Sequence, residues 1–447
     1  MSVELISVGM LVVVFLVATV FHVHMGALAL VATFVVGVGL AGQSESEVLQ
    51  GFPAELFVVL VGVTYLFAIA KANGTIDWLV DAAVAAVHGR VWAFPWIMFL
   101  ISAALAGMGA VPPAAVAIIA PTAMRIAHRY NISPLLMGLM VANGVSAGEF
   151  SPIGVFGLIV NDIAVQNSIE SSPARLFICT FLVNAIICYL LYLFIHRRGQ
   201  RALGRGEAQA GAVPEPTPDA VGGYLRDKVT STTKTSTQLS GTRTAVRERA
   251  LTPQVALTLT GISAMVVAVT VLELDIGFVA LTIAILLSIV SPAGSKEALT
   301  QIAWPTVFLI VGIVTYVNLL QEIGTITYVS DAVAHLQSPL LVALLICVIA
   351  ATVSAFASTT GILGALIPLA VPFLVAGEVS SVAMLIALCL SSSLVDASPF
   401  STTGALVVAN TADEDRDRTL SNLMRWGMSM IVIAPIASWA LFVLPGW

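Results

Sequence analysis

The chain has 447 residues, 58% of them hydrophobic and 10% charged, a mean hydropathy of +1.00 and a formal net charge of −6. Soluble domains carry about 25% charged residues, so this composition excludes an ordinary soluble protein. The acidic balance and the lack of aromatic-basic clusters argue against a nucleic-acid partner.

Apolar runs recur along the chain, most of them near the length of about 18 residues or more that crosses a bilayer. In order, spans are expected at 3–21, 26–41, 54–72, 133–163 and 174–196, and then at 253–272, 277–292, 304–322, 379–411 and 421–445. The first run opens MSVELIS with no basic residue, so it reads as a retained span rather than a cleaved signal. Segments 74–88 and 324–337 are short, carry Asp77, Asp81 and Asp331, and read as amphipathic arms at the interface. His22 and His24 fall in the turn after the first span and are expected to be solvated loop residues. Cys179, Cys188, Cys347 and Cys389 lie in apolar runs at no metal-like spacing and are expected to be packing residues.

Two further apolar stretches, 92–128 and 339–377, are broken mid-way by Gly107–Pro113 and by Ser354–Gly361. Proline and glycine there end a helix. Each arm has about 17 residues, roughly 25 Å as helix against a hydrocarbon core of about 30 Å. Re-entrant helical hairpins are therefore expected, with two ordinary short spans as the alternative.

The chain repeats itself. A shift of 250 brings Val61-Gly62 onto Val311-Gly312 and Gly74-Thr75-Ile76 onto Gly324-Thr325-Ile326. A shift of 247 brings Glu149-Phe-Ser-Pro152 onto Asp396-Ala-Ser-Pro399, and a shift of 251 brings Gly26 onto Gly277. Between the halves, 197–250 is polar and holds ten of the 19 Lys and Arg residues, which marks it as a flexible cytoplasmic linker. Five spans on each side then put both termini outside and invert the second repeat relative to the first. Of the remaining basic residues, Lys71, Arg90, Arg125, Arg129, Lys296, Arg416, Arg418 and Arg425 fall on inside turns, and only Arg175 falls outside. Asp413–Arg418 reads as a solvated cytoplasmic loop.

The expected fold is thus an all-α polytopic protein of the cell (inner) membrane. It has two inverted repeats, each of five transmembrane helices plus one re-entrant hairpin, and one broken helix in each repeat. The expected divisions are scaffold helices and arm at 1–90, hairpin and transport helices at 91–196, the linker at 197–250, scaffold again at 251–338, and transport helices at 339–447.

The chemistry concentrates where the fourth and ninth spans break, at Asn143–Gly154 and Ser391–Gly404. Proline after serine is helix-start grammar, so each helix is expected to restart with Ser151 or Ser398 as N-cap. A restarting N-terminus offers free N–H groups to an anion, and the half-helix ending before it offers carbonyls to a cation. A carboxylate inside a membrane costs about 2.5–3.5 kcal/mol on insertion scales and defaults to function. Glu149 and Asp396, at matching places in both halves, are therefore the expected ligands of a hard cation such as Na⁺. Asn143, Ser146, Gly148 and Ser393 complete that cation set. No Lys or Arg lies in the breaks or hairpin tips. An anionic substrate would then depend on helix ends, hydroxyls and a co-bound cation.

Ser146-Ala-Gly-Glu-Phe-Ser-Pro-Ile-Gly-Val-Phe-Gly157 and Asp396-Ala-Ser-Pro-Phe-Ser-Thr-Thr-Gly-Ala-Leu-Val-Val-Ala-Asn410 resemble the malonate/dicarboxylate carrier (MatC-like) family. That family belongs to the ion transporter superfamily, alongside the divalent-anion/sodium symporters. The resemblance implies a homodimer, a scaffold with a moving transport domain, and substrate held between hairpin tips and broken helices. On that basis Pro112, Pro113, Ser151, Ser358, Thr359, Thr360, Ser398, Ser401 and Thr402 are the expected substrate contacts. The sodium/dicarboxylate branch carries Ser-Asn-Thr at both hairpin tips. Here the tips read Gly109-Ala-Val-Pro-Pro113 and Ala357-Ser-Thr-Thr-Gly361, so only the hydroxyls match.

The expected activity is elevator-type symport of a small dicarboxylate, such as malonate, malate or succinate, inward with Na⁺. The alternatives are a Na⁺/H⁺-type antiporter and an inorganic-anion transporter of the same superfamily. An intramembrane enzyme is the alternative of another class, and no buried Ser/His pairing supports it. No cofactor is expected besides the coupling ion, Na⁺ or H⁺.

Overall fold

A computed structural model describes residues 3–21, 23–86, 90–167, 169–210, 251–272, 274–291, 297–325, 328, 338–356, 363, 367, 370–371, 373–374 and 379–446. Among them the secondary structure is helical throughout. The first half runs α1 (Val3–Phe21), α2 (Met25–Phe34, continuing as a π-helical turn Val35–Leu40), α3 (Glu45–Gln50), α4 (Ala54–Ala72) and α5 (Thr75–Ala86). It continues through α6 (Phe94–Gly107), α7 (Pro112–Arg129), α8 (Pro134–Gly148), α9 (Val155–Gln166) and α10 (Pro173–Ala210). The second half runs α11 (Pro253–Thr270), α12 (Ile276–Val290), α13 (Trp304–Glu322) and α14 (Pro339–Phe356). It ends with α15 (Ser381–Ser393), α16 (Thr402–Ala409) and α17 (Asp413–Ser438, with a π-helical turn Trp439–Val443). Among the described residues four stretches are long and apolar enough to cross a membrane: Ala54–Ala72, Pro173–Ile195, Trp304–Glu322 and Asp413–Val443. Nine shorter apolar helices accompany them. Apolar side chains such as Leu182, Ile186 and Leu190 point outward from α10, as a lipid-facing helix requires. The protein is a multi-pass membrane protein.

Three expected boundaries are corrected. The linker was to begin at 197, but α10 runs on to Ala210, through a stretch rich in the helix formers Arg, Gln, Ala and Leu. Residues 211–250 lie outside the described set. Asp413–Arg418 is the first turn and a half of α17 rather than a loop. Its three acids Asp413, Glu414 and Asp415 suit the positive end of a helix dipole. A short helix, α3, occupies part of the expected turn between the second and third spans, nucleated by a Ser44/Glu47 capping box. The expected arm at 74–88 is helical as α5, whereas most of 324–337 falls outside the described residues.

The two halves interlock. α4 packs against α12, and α13 packs against α2. Each contact is made possible by facing glycines. A β-carbon at Gly26 would strike the Phe308 carbonyl, and one at Gly312 would strike the Gly26 carbonyl. A β-carbon at Gly62 would strike the Gly277 carbonyl, and one at Gly277 would sit 2.7 Å from Val59 N. Small residues at such crossings let helices approach where lipid gives little hydrophobic drive. Tyr316 on α13 donates to the Ser7 carbonyl at 2.7 Å, which ties α1 to the second half.

Around this frame the remaining helices bundle. α6 and α7 form a helix–break–helix unit, pack on one another, and both pack on α8. Gly109 at the break has φ +109°, a region that side chains avoid. A β-carbon there would collide with Val63 of α4. In the second half α14 packs on α15 and on α17.

Candidate functional site

The fourth and ninth spans are each interrupted by non-helical backbone, between α8 and α9 and between α15 and α16. The restart differs in detail from the expectation. The N-caps are Gly154 and Ser401, not Ser151 and Ser398. Gly154 N–H donates to the Ser151 carbonyl at 2.9 Å, and Ser401 N–H to the Ser398 carbonyl at 3.0 Å. Each Ser-Pro therefore opens a β-turn with proline at its second position, which the fixed φ of proline favours as much as a first helical turn. The helix begins three residues later. Glycines at matching places then pack against these turns: a β-carbon at Gly157 would strike the Ser151 carbonyl, and one at Gly404 the Ser398 carbonyl.

The donors at the restarts are largely used within the breaks. Phe156 and Gly157 N–H donate to the Glu149 carbonyl at 3.1 and 3.0 Å. Gly404 N–H donates to Ser401 Oγ at 3.1 Å, and that hydroxyl donates on to the Ser398 carbonyl at 2.8 Å and to the Asp396 carbonyl. The α9 terminus, expected to be open to an anion, is thus capped by the backbone of its own break.

Glu149 is wholly buried, and neither of its carboxylate oxygens has a hydrogen-bond partner among the described residues. Asp396 is buried too, and its Oδ2 accepts from Thr403 Oγ1 at 3.4 Å. The two carboxylates lie within electrostatic reach of each other. Ser146 Oγ donates to the Ser393 carbonyl at 3.4 Å across the interface of the broken helices. Among the described residues Ser393 Oγ is buried without a partner, as is Ser102 Oγ on α6, whose side chain faces Gly144 of α8. Asn143 Nδ2 donates to the Leu139 carbonyl at 2.8 Å. Gly148 is held against α6, where a β-carbon would strike the Ala103 carbonyl. Five of the six expected cation ligands therefore sit in the C-terminal part of α8, at its cap or at the end of α15, Asp396 lies in the break three residues past α15, and the pair Ser146/Ser393 is in direct contact. No group of three or more His, Cys, Asp or Glu side chains is placed to hold a metal ion among the described residues.

The expected substrate residues divide. Ser151 Oγ donates to the Gly107 carbonyl, so the first break touches the end of α6 beside the first tip. Pro112 and Pro113 start α7, with Pro112 buried. Ser398 is buried against Gly427 of α17, and Ser401 is the α16 cap. Thr402 is exposed, and the hydroxyl beside Asp396 belongs to its neighbour Thr403. Ser358, Thr359 and Thr360 lie outside the described residues. Thr403 and Ser102 escaped the sequence reading. Thr403 sat unremarked in the Ser-Thr-Thr run, and Ser102 is a single small polar residue in an apolar arm. A cavity of about 300 Å³ lies beside the first tip, lined by Ala110, Val111, Phe67, Thr64, Lys71 and Gln301 among others.

Comparison with known families agrees with this architecture. Residues 1–149 match the family described as dicarboxylate carrier protein MatC N-terminus, and residues 264–446 match the citrate transporter family. Both are ion transporter domains, and the second contains Asp396-Ala-Ser-Pro399. The two matched stretches are thus each similar to an ion transporter family, and the resemblance to MatC-like dicarboxylate carriers is borne out. No curated protein matches the chain significantly.

Proposed function

We propose that the protein is a secondary active transporter that moves a small dicarboxylate inward together with Na⁺. The observation that carries this reading is Glu149: a fully buried carboxylate whose two oxygens have no partner among the described residues. A bare buried carboxylate is costly, so a cation or proton must offset it during the working cycle. The unpartnered Ser393 Oγ and the Ser393 carbonyl are hard oxygens of the kind Na⁺ takes. In this reading Na⁺ sits between the ends of α8 and α15, held by Glu149, Asp396, Ser146 and Ser393, with Asn143 and Gly148 shaping the site.

The acid then binds beside the cation. Its carboxylates meet the hydroxyls of Ser398 and Thr402 and, at the second tip, Ser358, Thr359 and Thr360; Ser151 and Ser401 join by giving up their present carbonyl acceptors, and Pro112 and Pro113 shape the first tip. No Lys or Arg is present in the breaks or tips to balance a dianion. The bound cation supplies that charge, so substrate affinity depends on Na⁺ and coupling follows from linkage. The family descriptions, a dicarboxylate carrier and a citrate transporter, favour an organic acid over the antiport and inorganic-anion alternatives.

The reciprocal glycine contacts support two inverted repeats. The repeat turns Gly26 into Gly277 and Gly62 into Gly312. The contact Gly26–Gly312 therefore becomes Gly277–Gly62, and both are present. The interlocked α2, α4, α12 and α13 then form the scaffold, likewise the surface for a homodimer, against which α6–α9 and their counterparts move as an elevator. The positive-inside pattern puts the linker in the cytoplasm and both termini outside.

Thermal unfolding of the purified protein tests the reading. A dicarboxylate should raise the midpoint only when Na⁺ is present, by about 2.7 kcal/mol of stabilisation at a hundred times its dissociation constant. Stabilisation by Na⁺ with no response to any dicarboxylate would favour the antiporter instead.

A further inference from the structure

A groove between α10 and α17 plays no part in the transport step above. Two cavities open along it. One, of about 1160 Å³, is polar at its mouth and is lined on α17 by Asp415, Arg418, Asn422, Arg425 and Trp426. The other, of about 860 Å³, is apolar and is lined by Met430, Ile433, Ala437 and Leu441 of α17 facing Ile186 and Leu190 of α10. The two share Leu191, Phe194 and Trp426, so they form one continuous groove. Positions 418, 422, 425, 426, 429, 433 and 437 recur at helical spacing and line one face of α17.

The groups are layered by depth. Glu414 and Asp415 lie at the rim, and Arg425 lies about 15 Å further along the axis. Trp426 follows, and the apolar wall from Trp426 to Leu441 runs about 22 Å, more than half of a hydrocarbon core of about 30 Å. At the rim Glu414 lies 3.4 Å from His128 Nδ1, and Arg416 pairs with Asp413 at 2.7 Å. Arg418 and Arg425 have no ion-pair or hydrogen-bond partner among the described residues. The Trp426 Nε1–H is shielded from solvent and has no acceptor among the described residues.

We propose that this groove seats one phospholipid whose headgroup ends in a protonated amine, of the phosphatidylethanolamine type. The layers match that molecule in order. The ammonium meets the carboxylates of the rim, and the phosphate meets Arg418 and Arg425. An ester carbonyl takes the Trp426 N–H, and an acyl chain lies along the apolar wall. A purely anionic headgroup would put unbalanced charge against Glu414 and Asp415, whereas the amine complements them. The lipid would join α10, which packs on α8, to α17, which packs on α14 and α15.

Full-length protein, purified and stripped of lipid, tests this by thermal unfolding against phosphatidylethanolamine, phosphatidylglycerol and phosphatidylcholine of the same chains. Phosphatidylethanolamine should bind at least about tenfold more tightly than either of the others, a difference of about 1.4 kcal/mol. The double variant Arg418→Gln/Arg425→Gln should lose this preference, and Trp426→Phe, which keeps the ring but not the donor, should weaken it. Should the double variant fail to fold, the lipid series on the native protein and on Trp426→Phe decides the matter. Equal affinity for the three lipids, a preference for phosphatidylglycerol, or an unchanged double variant would each overturn the proposal. So would efficient cross-linking of two chains through a cysteine placed at Ile433, since a second copy would then fill the groove.

Discussion

Ser146 donates to the carbonyl of Ser393 at 3.4 Å, and these two residues are each other's counterparts in the duplicated sequence. A contact between equivalent positions puts both beside whatever axis relates the two halves. Glu149 and Asp396, three residues further on in each half, lie within electrostatic reach of each other. On the proposed reading both halves contribute to one site, so damage from either half should reach it.

The interlocked scaffold predicts a paired mutational response. Gly277→Ala and Gly312→Ala should each destabilise the protein by about 1–3 kcal/mol, the usual penalty for overpacking. Gly39→Ala, where nothing lies within 4 Å, should be neutral. Thermal midpoints of the three variants in one detergent provide the comparison.

The restart of the ninth span predicts a local effect. Ser401 caps α16 and also fastens the break through the Ser398 and Asp396 carbonyls. Ser401→Ala should cost about 0.5–2 kcal/mol of stability. Ser401→Thr, which keeps the hydroxyl, should restore most of it. Loss of dicarboxylate-dependent stabilisation in Ser401→Ala beyond the loss of fold stability would mark a direct contact with substrate.

The charge distribution predicts sidedness. Cys188, Cys347 and Cys389 are buried and Cys179 is partly exposed, so Cys179→Ala gives a quiet background. In it, a cysteine at Ser231 should react only with reagents that enter the cytoplasm, and one at Ser46 only with reagents outside. Labelling of both from one side would contradict the inverted arrangement.

Much of this was legible because membrane helices announce themselves by length and apolarity, and because a duplication states the same break twice. The ends of α4 and α13 fall where the apolar runs end. The break at Ser-Pro was legible, but its form was not. Proline's fixed φ suits a turn and a first helical position equally, and only the glycines packed at Gly157 and Gly404 show that a turn intervenes. The start of α17 was missed because its acids read as solvent-loving, while a helix N-terminus attracts them for another reason. His24 was read as a solvated loop residue. It is exposed, yet its ring bonds to the Pro305 carbonyl at 2.9 Å and caps α2. No local pattern reveals a partner 281 residues away.

The most direct test of coupling is the Na⁺ dependence of dicarboxylate uptake into proteoliposomes by Glu149→Gln and Asp396→Asn. Each variant removes one charge-assisted contact of about 1.5–3 kcal/mol, which raises half-maximal Na⁺ by about ten- to a hundred-fold. Both should still fold and insert, because an amide at either place is less costly to bury than a carboxylate. Unchanged half-maximal Na⁺ in both variants, with or without a loss of pH dependence, would contradict the assignment of these carboxylates to the sodium site.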